Sequence, residues 1–202
     1  MSDLPSRTLG VAFSDGDRVS RIAGAILRSD DALDGLAYGA CTVGGSDATD
    51  AIVDLVAESG REDVRHLCLA GVAPAWFNLV DLCRLHEELD RPVSAVSYEA
   101  SPGLEPALHG AFDGEDLAER LAVYRSLPPR RRVPLDDSGA ADPESGSAAP
   151  LFVRAVGIDD DRAAAIVRSL VREGFRRPEP LRVASIAASA HREAIPDDSL
   201  PP

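Results

Sequence analysis

The order of apolar segments along the chain constrains the fold more than any other feature. Three strand-like runs come first, and short turn sequences at residues 14–17 and 30–35 separate them. That spacing predicts an antiparallel meander, with strands at residues 9–13, 19–27 and 36–43. Helical and strand-like patterns then alternate, which is typical of one mixed sheet with helices on its faces. We therefore predict an α/β fold: a three-stranded antiparallel meander followed by α-β units.

Two segments of the chain differ from this pattern. Residues 128–150 are poor in apolar side chains and rich in Pro, Gly, Ser and Asp, so we predict a disordered or mobile insertion there. The acidic end of the chain, residues 191–202, is predicted to be a disordered tail. Outside these two segments the apolar pattern predicts further helices and strands. The helices are expected at 48–56, 77–89, 104–112, 115–127, 159–172 and 179–190, and the strands at 64–70, 93–98 and 151–158.

The charge of the chain is strongly acidic. Asp and Glu total 34 against 21 basic residues, every basic residue is Arg, and the formal net charge is −13. In molar salt, where the Debye length is about 3 Å, such a charge causes little self-repulsion. The composition predicts a halophilic archaeal source, and a GC-rich genome is the alternative explanation for the missing Lys. An acidic protein ordinarily disfavours nucleic acid as a partner, but an acidic bias shared by a whole halophilic proteome removes that argument.

Several classes of protein are disfavoured by motifs that the sequence lacks. No run of about 18 apolar residues is present, so we expect no membrane span and no membrane partner. The N-terminus does not resemble a signal peptide, which favours a cytoplasmic protein. Cys41, Cys68 and Cys83 form no CxxC pair and are expected to be reduced and buried. A Walker phosphate loop requires Lys and is excluded.

Four stretches of the sequence resemble a known archaeal family. They are CTVGGSDATDAI at 41–52 and the longer segments at 67–99, 151–158 and 176–188. They are similar to the endonuclease dU family, formerly called domain of unknown function 99, which resembles endonuclease V. The resemblance covers residues 7–190 and implies a single RNase-H-like domain. It further implies DNA as the partner, a role in DNA repair, and cleavage beside a deaminated base, deoxyuridine, with Mg²⁺ or Mn²⁺.

The resemblance also identifies positions where this chain differs from the family. Metal-dependent phosphodiester hydrolysis needs hard oxygen ligands at the ends of central strands. The three positions where the family places Asp read Ala12, Gly44 and Ala70 here. The alternative to an endonuclease is therefore a catalytically inert relative that binds nucleic acid or a protein partner, and no metal ligand is assigned. Nearby acids could instead replace the missing ones, namely Asp15, Asp17, Asp47 and Asp81.

Two acids are the candidate catalytic residues. Asp47 precedes a predicted helix, where it either caps the helix or, together with Thr49, forms a polar lip of the active-site cleft. Asp81 is predicted to lie one turn inside a helix, where an acid near the N-terminus is also favourable without any function.

The other candidates are residues that could contact a substrate. Thr49, Trp76 and Asn78 belong to segments expected to line the cleft and contact a substrate, and Trp76 could stack on an extruded base. Alternatively, Trp76 packs at the start of a helix whose N-cap is Asn78.

Arg154 is expected to face out of, or across, the sheet. Arg177 precedes the PEPLR segment and Arg182 ends it. An Arg pair near the site could clamp a phosphate, and the alternative is a solvated salt bridge.

Overall fold

A mixed sheet of seven strands forms the centre of the protein in our computed structural model, which describes residues 5–135 and 149–195. The first three strands are long and the later ones short. In chain order they are β1 (Arg7–Asp15), β2 (Val19–Arg28), β3 (Leu33–Thr42), β4 (His66–Ala70), β5 (Val93–Ser97), β6 (Arg131–Val133) and β7 (Leu151–Val156). Their order across the sheet is β3-β2-β1-β4-β5-β7-β6.

Strand directions change across the sheet. Strands β1, β2 and β3 pair antiparallel and form the predicted meander. Strands β4 and β5 then continue the sheet parallel to β1, whereas β7 pairs antiparallel with β5 and with β6. The three parallel strands in the middle therefore end at one edge of the sheet, where α/β proteins commonly bind ligands.

Helices cover both faces of the sheet. They are α1 (Ala48–Ser59), α2 (Pro74–Phe77), α3 (Leu82–Leu89), α4 (Glu105–Ala111), α5 (Gly114–Ser126), α6 (Asp160–Ser169) and α7 (Glu179–Ala194). Helices α1 and α3 share the main apolar core with strands β1 and β4. Helix α7 lies on the opposite face across β1 and β2. No helix in the described residues is long and apolar enough to cross a membrane.

Small residues let α7 lie close to the sheet. Ala12 and Ala25 pack directly against Ala184 of the helix. A Cβ atom added at Gly10 would lie 2.4 Å from the carbonyl carbon of Pro180 and 2.5 Å from its oxygen. Because a backbone group cannot move aside as a flexible side chain can, glycine is required at this crossing.

One predicted helix is interrupted. The prediction of a continuous helix over 77–89 is wrong, because α2 ends at Phe77 and α3 begins only at Leu82. The three residues Ala75, Trp76 and Phe77 have positive φ angles of 48°, 53° and 62°, which a right-handed helix cannot contain. Apolar periodicity continues through this turn, so periodicity alone could not reveal it.

Three further predictions differ from the structure in part. Residues 131–133, inside the segment predicted to be mobile, form β6, and residues 136–148 of that segment lie outside the described part of the chain. The first residues of the predicted tail belong to α7, which continues to Ala194, whereas residues 196–202 are not described. The three cysteines are free, but only Cys41 and Cys68 are buried, and Cys83 is half-buried.

Candidate functional site

A cleft of about 620 Å³ lies where β1, β4 and β5 end. Ala12 and Ala70 contribute to its lining from the ends of β1 and β4, and Ser97 contributes from the end of β5. Helix α7 closes one side through Leu181 and Ser185. The cleft therefore lies at the carboxyl ends of the parallel strands, where the sequence predicts a functional site.

Guanidinium groups dominate the charge of the cleft. Arg130, Arg154 and Arg177 line it, whereas its carboxylates are Asp15 and Glu99. None of the three arginines has a carboxylate within ion-pair distance in the described residues. They are held by neutral acceptors and aromatic rings instead. An anionic ligand is the natural complement of such a cleft.

Tyr98 adds a polar group to the wall beside Arg177. Its hydroxyl is buried and has no hydrogen-bond partner in the described part of the chain. Burial raises the pKa of Tyr98 to about 12, against the opposing effect of Arg177, whose guanidinium lies 5.5 Å from the ring centroid. The phenol therefore stays protonated at neutral pH and can donate a hydrogen bond to a ligand.

The cleft does not fit a divalent metal. Mg²⁺ and Mn²⁺ prefer several hard oxygen ligands, but methyl groups occupy positions 12 and 70. Asp15 is the one compensating acid in the lining, and its Oδ1 accepts a hydrogen bond of 2.6 Å from Ser20. Among the described residues no group of three or more His, Cys, Asp or Glu side chains could hold a metal ion. Asp17 is exposed and does not line the cleft.

Asp47 and Asn78 form a hydrogen-bonded knot between the end of β3 and the start of α1. The Asp47 carboxylate does not cap its helix, as one interpretation predicted, but accepts from the Thr42 amide and hydroxyl and from Asn78 Nδ2 at 2.6 Å. Burial alone would raise the pKa of Asp47, yet the hydrogen bonds from Asn78 and Thr42 outweigh it and leave the pKa below its usual value. Asp47 is therefore occupied structurally.

Asn78 itself is fully buried. Its Oδ1 accepts from the Ala48 amide at 2.9 Å and its Nδ2 also donates to the Thr42 carbonyl at 2.8 Å. The prediction that Asn78 is the N-cap of its own helix is wrong, since it satisfies the first amide of α1 instead. Asn78 therefore links the end of β3 to the start of α1, and it is not one of the residues that line the cleft.

Asp81 and Thr49 form a second structural pair. Asp81 is the N-cap of α3, accepting from the amides of Cys83 and Arg84 at 3.0 Å, and so does not lie one turn inside a helix as predicted. Thr49 is buried, and its hydroxyl accepts from the Asp81 amide at 3.0 Å. Neither residue lines the cleft, and both interactions are those of a helix junction.

Trp76 lies on a strained turn next to the cleft. Its side chain is 55% exposed, and its ring packs against Phe112 with centroids 5.2 Å apart. The preceding residues, 73–75, line the cleft. Left-handed conformations of non-glycine residues cost about 1–2 kcal/mol each, and clusters of them are found at functional sites. Trp76 therefore packs against Phe112 as one interpretation predicted, and its exposed part leaves stacking on a base as a prediction.

Gly44 and Trp76 depend on each other. A Cβ atom at Gly44 would lie 2.8 Å from Cε3 of Trp76, and Gly44 has a φ of 73°. The Gly44 amide donates to the Ala75 carbonyl at 2.7 Å. The tryptophan ring therefore fills the space that a side chain at position 44 would need, which is a further reason why a carboxylate is missing there.

Arg120 stabilises the turn at residues 75–77 through hydrogen bonds to backbone carbonyls. Although it belongs to the exposed helix α5, it is only 7% exposed. It donates to the carbonyls of Gly44 at 2.7 Å, Gly45 at 3.0 Å and Phe77 at 3.3 Å, and its guanidinium lies 3.9 Å from the centroid of the Phe112 ring. Arg120 was not among the predicted site residues, because nothing in its local sequence pattern marks a buried arginine.

Two roles were predicted for Arg182, a phosphate clamp and a salt bridge, and the structure shows a salt bridge. It makes a bidentate pair with Glu179 at 2.6 and 2.7 Å, and Glu179 is 3% exposed. Hydrogen bonds from Arg182 hold the pKa of Glu179 below its usual value. The cleft is lined instead by Arg177, five residues earlier.

Comparison with protein families identifies the relatives of this chain. A family model described as Endonuclease dU matches residues 6–192. A UPF0215 protein of Thermococcus kodakarensis is 37% identical over 151 residues, which is 74% of this chain and 69% of that protein. The resemblance seen in the sequence is thereby confirmed, whereas a halophilic source remains a prediction.

Solved structures support the same fold. A protein of unknown function from Archaeoglobus fulgidus has a TM-score of 0.77 at 25% identity, covering 92% of this chain and 97% of that one. Endonuclease V of Ciona intestinalis, in complex with DNA containing an inosine, has a TM-score of 0.59 at 12% identity, with coverages of 94% and 87%. The predicted RNase-H-like fold is therefore confirmed.

Proposed function

The chain belongs to the endonuclease dU family, and we propose that its cleft binds a DNA strand carrying deoxyuridine without hydrolysing it. Membership and fold place the chain among nuclease-like proteins. Recognition of deoxyuridine and the absence of metal-dependent cleavage are our proposal for this chain. The observation that carries it is a cleft with arginines on its walls and alanines at two of the family's carboxylate positions.

Two features of the cleft support binding of a strand. Arg130, Arg154 and Arg177 provide unneutralised positive charge in a protein whose net charge is −13. Trp76 presents an open aromatic surface beside this charge. Grooves that bind single strands combine basic side chains for the phosphates with aromatic rings for the bases. The cleft supplies the basic side chains, and Trp76 directly follows the lining residues 73–75 in the chain.

Loss of hydrolysis follows from the donor set. The candidate catalytic acids Asp47 and Asp81 are held in hydrogen bonds at helix junctions and do not line the cleft. Asp15 and Glu99 are the carboxylates that do, and the guanidiniums in the same cleft would compete with a cation for them. No catalytic step through a metal ion is therefore assigned to this chain.

The test uses a labelled DNA strand that contains one deoxyuridine. Fluorescence anisotropy measures its binding at a salt concentration at which circular dichroism shows that the protein is folded. We expect Trp76→Ala to weaken binding by about 1–3 kcal/mol, the range for one stacked base, and Trp76→Phe to retain most of it. Since Trp76 is the only tryptophan, its own fluorescence should change when the strand binds.

The same samples, incubated with Mn²⁺ or with a chelator, should show no nicking beside deoxyuridine. A strand with thymidine in place of deoxyuridine is the control for base preference. Brisk Mn²⁺-dependent nicking that Asp15→Asn abolishes would overturn the proposal in favour of an active endonuclease. Absence of any strand binding would overturn it in the other direction.

Restoring carboxylates should create a metal site. Ala12 and Ala70 pack together beneath α7, so Ala12→Asp combined with Ala70→Asp places two carboxylates side by side in the cleft. We expect calorimetry to show Mn²⁺ affinity rising at least about tenfold over the natural protein, because carboxylate number tunes cation affinity. The Ala12→Asn, Ala70→Asn variant controls for side-chain volume. Equal Mn²⁺ affinity in the Asp and Asn variants would contradict this account.

A further inference from the structure

The arginines of the cleft differ from many others in the protein. Elsewhere, some arginines donate to backbone carbonyls, as do Arg21, Arg168 and Arg192. Others form close pairs with carboxylates. Examples are Arg7–Asp34, Arg28–Asp30, Arg61–Asp63, Arg84–Glu88, Arg125–Glu105, Arg131–Asp160, Arg172–Asp31 and Arg182–Glu179. Arg130, Arg154 and Arg177 line the cleft with no such partner in the described residues. In a chain with a large excess of acids, three such guanidiniums in one cavity indicate a ligand that carries negative charge.

Arg154 is anchored but not neutralised. It projects from β7, opposite Ala95 of β5, and donates to the Pro128 carbonyl and, at 3.4 Å, to the Tyr124 hydroxyl. Burial lowers the pKa of Arg154 and the charge of Arg130 also lowers it, whereas Tyr124 acts in the opposite direction without cancelling them. Desolvation and repulsion from Arg130 therefore both disfavour the charged form of the Arg154 guanidinium, and a bound anion would offset both effects.

Arg130 also lines the cleft and is held in a similar way. Its two terminal nitrogens donate to the carbonyls of Glu99 at 3.2 Å and Ser101 at 2.8 Å, and its guanidinium lies 4.7 Å from the centroid of the Phe152 ring. Carbonyl acceptors orient a guanidinium without cancelling its charge. Both arginines are thus pre-oriented, which reduces the entropy lost when they bind a ligand.

We propose that Arg154 and Arg130 form a phosphate subsite that holds one internal phosphodiester of the bound strand. This inference rests on the proposed function and specifies how the cleft holds the strand. A planar guanidinium matches two phosphate oxygens in a bidentate geometry. Two guanidiniums can therefore neutralise and orient the phosphodiester without a metal ion. In this chain fixed guanidiniums therefore supply the positive charge that the family resemblance assigned to a divalent metal.

The experiment scans one neutral methylphosphonate linkage along the labelled deoxyuridine strand. In the natural protein we expect one linkage position to weaken binding about tenfold, the effect of losing a charge-assisted hydrogen bond, with smaller effects elsewhere. Arg154→Gln should weaken binding of the unmodified strand to a similar extent and should abolish the sensitivity at that position. Arg130→Gln is the second variant, and thermal melts establish that both fold.

Arg125→Gln is the matched control, because Arg125 follows Tyr124 directly on α5 but is exposed and paired with Glu105 at 3.0 and 3.1 Å. It should leave the scan unchanged. A flat scan, or a sensitive position that persists in both Arg154→Gln and Arg130→Gln, overturns the subsite. Inorganic phosphate that binds in an Arg154-dependent manner while the scan is flat also overturns it, in favour of a free anion. Binding of the unmodified strand separately reports on the proposed function.

Discussion

Replacing Asn78 by alanine should lower the free energy of unfolding by about 4 kcal/mol, because it breaks a charge-assisted hydrogen bond and leaves a buried amide unpaired. Asn78 is the only asparagine of the chain and is fully buried. It links the Ala48 amide, the Thr42 carbonyl and the Asp47 carboxylate. Of these, the Ala48 amide begins α1 and has no replacement partner within its helix. Urea unfolding followed by circular dichroism measures the loss.

Two variants make this expectation specific. Thr42→Val removes only an exposed hydroxyl that donates to the same carboxylate at 2.9 Å, and should cost about 1 kcal/mol. Asn78→Asp keeps the shape but places a second carboxylate against Asp47, so at neutral pH it should destabilise at least as much as Asn78→Ala. A loss below about 1 kcal/mol for Asn78→Ala would show that the knot does not hold the loop.

Periodicity predicted the larger features of the fold for physical reasons. Apolar side chains that repeat at strand or helix spacing must reach a common core, so the meander and α1 followed directly from the sequence. The turn at Ala75, Trp76 and Phe77 did not, because its left-handed conformation involves no glycine. Contacts distant in sequence stabilise it instead, above all the hydrogen bonds from Arg120 to the Gly44 and Phe77 carbonyls. Such contacts leave no local pattern.

The candidate site was predictable in location but not in composition. The ends of β1 and β4 were expected to line it, and Ala12 and Ala70 do. Arg130 belongs to the basic run 130–132, which the sequence allowed to touch nucleic acid or to be a solvated hinge. The mobility predicted for its segment gave no reason to place it in the cleft. Arg154 was expected only to face out of or across the sheet, since alternation in a strand defines a face but not the neighbours on it. The family resemblance supplied the carboxylate positions, and the structure supplied the guanidiniums.

A buried histidine should set how the stability of the protein depends on pH under mildly acidic conditions. His66 begins β4 and is 1% exposed, and neither ring nitrogen has a hydrogen-bond partner in the described residues. Burial lowers the pKa of His66 from 6.5 to about 4. Between these values the unfolded chain binds a proton that the folded protein does not. Stability is therefore fully present above pH 6.5 and falls as the pH drops toward about 4.

The expected loss is about 1.4 kcal/mol per pH unit, or about 3 kcal/mol between pH 7 and about pH 4.5. Carboxylates such as Asp34, whose pKa is lowered to about 2 by hydrogen bonds from Arg7 and Arg61, lose their contribution only at lower pH. The two effects thus occupy different pH ranges. His66→Leu should remove most of the slope above pH 4.5 while leaving acid unfolding at lower pH in place. Urea unfolding of both proteins across this range measures the difference, and parallel curves would mean that His66 is protonated in the folded state.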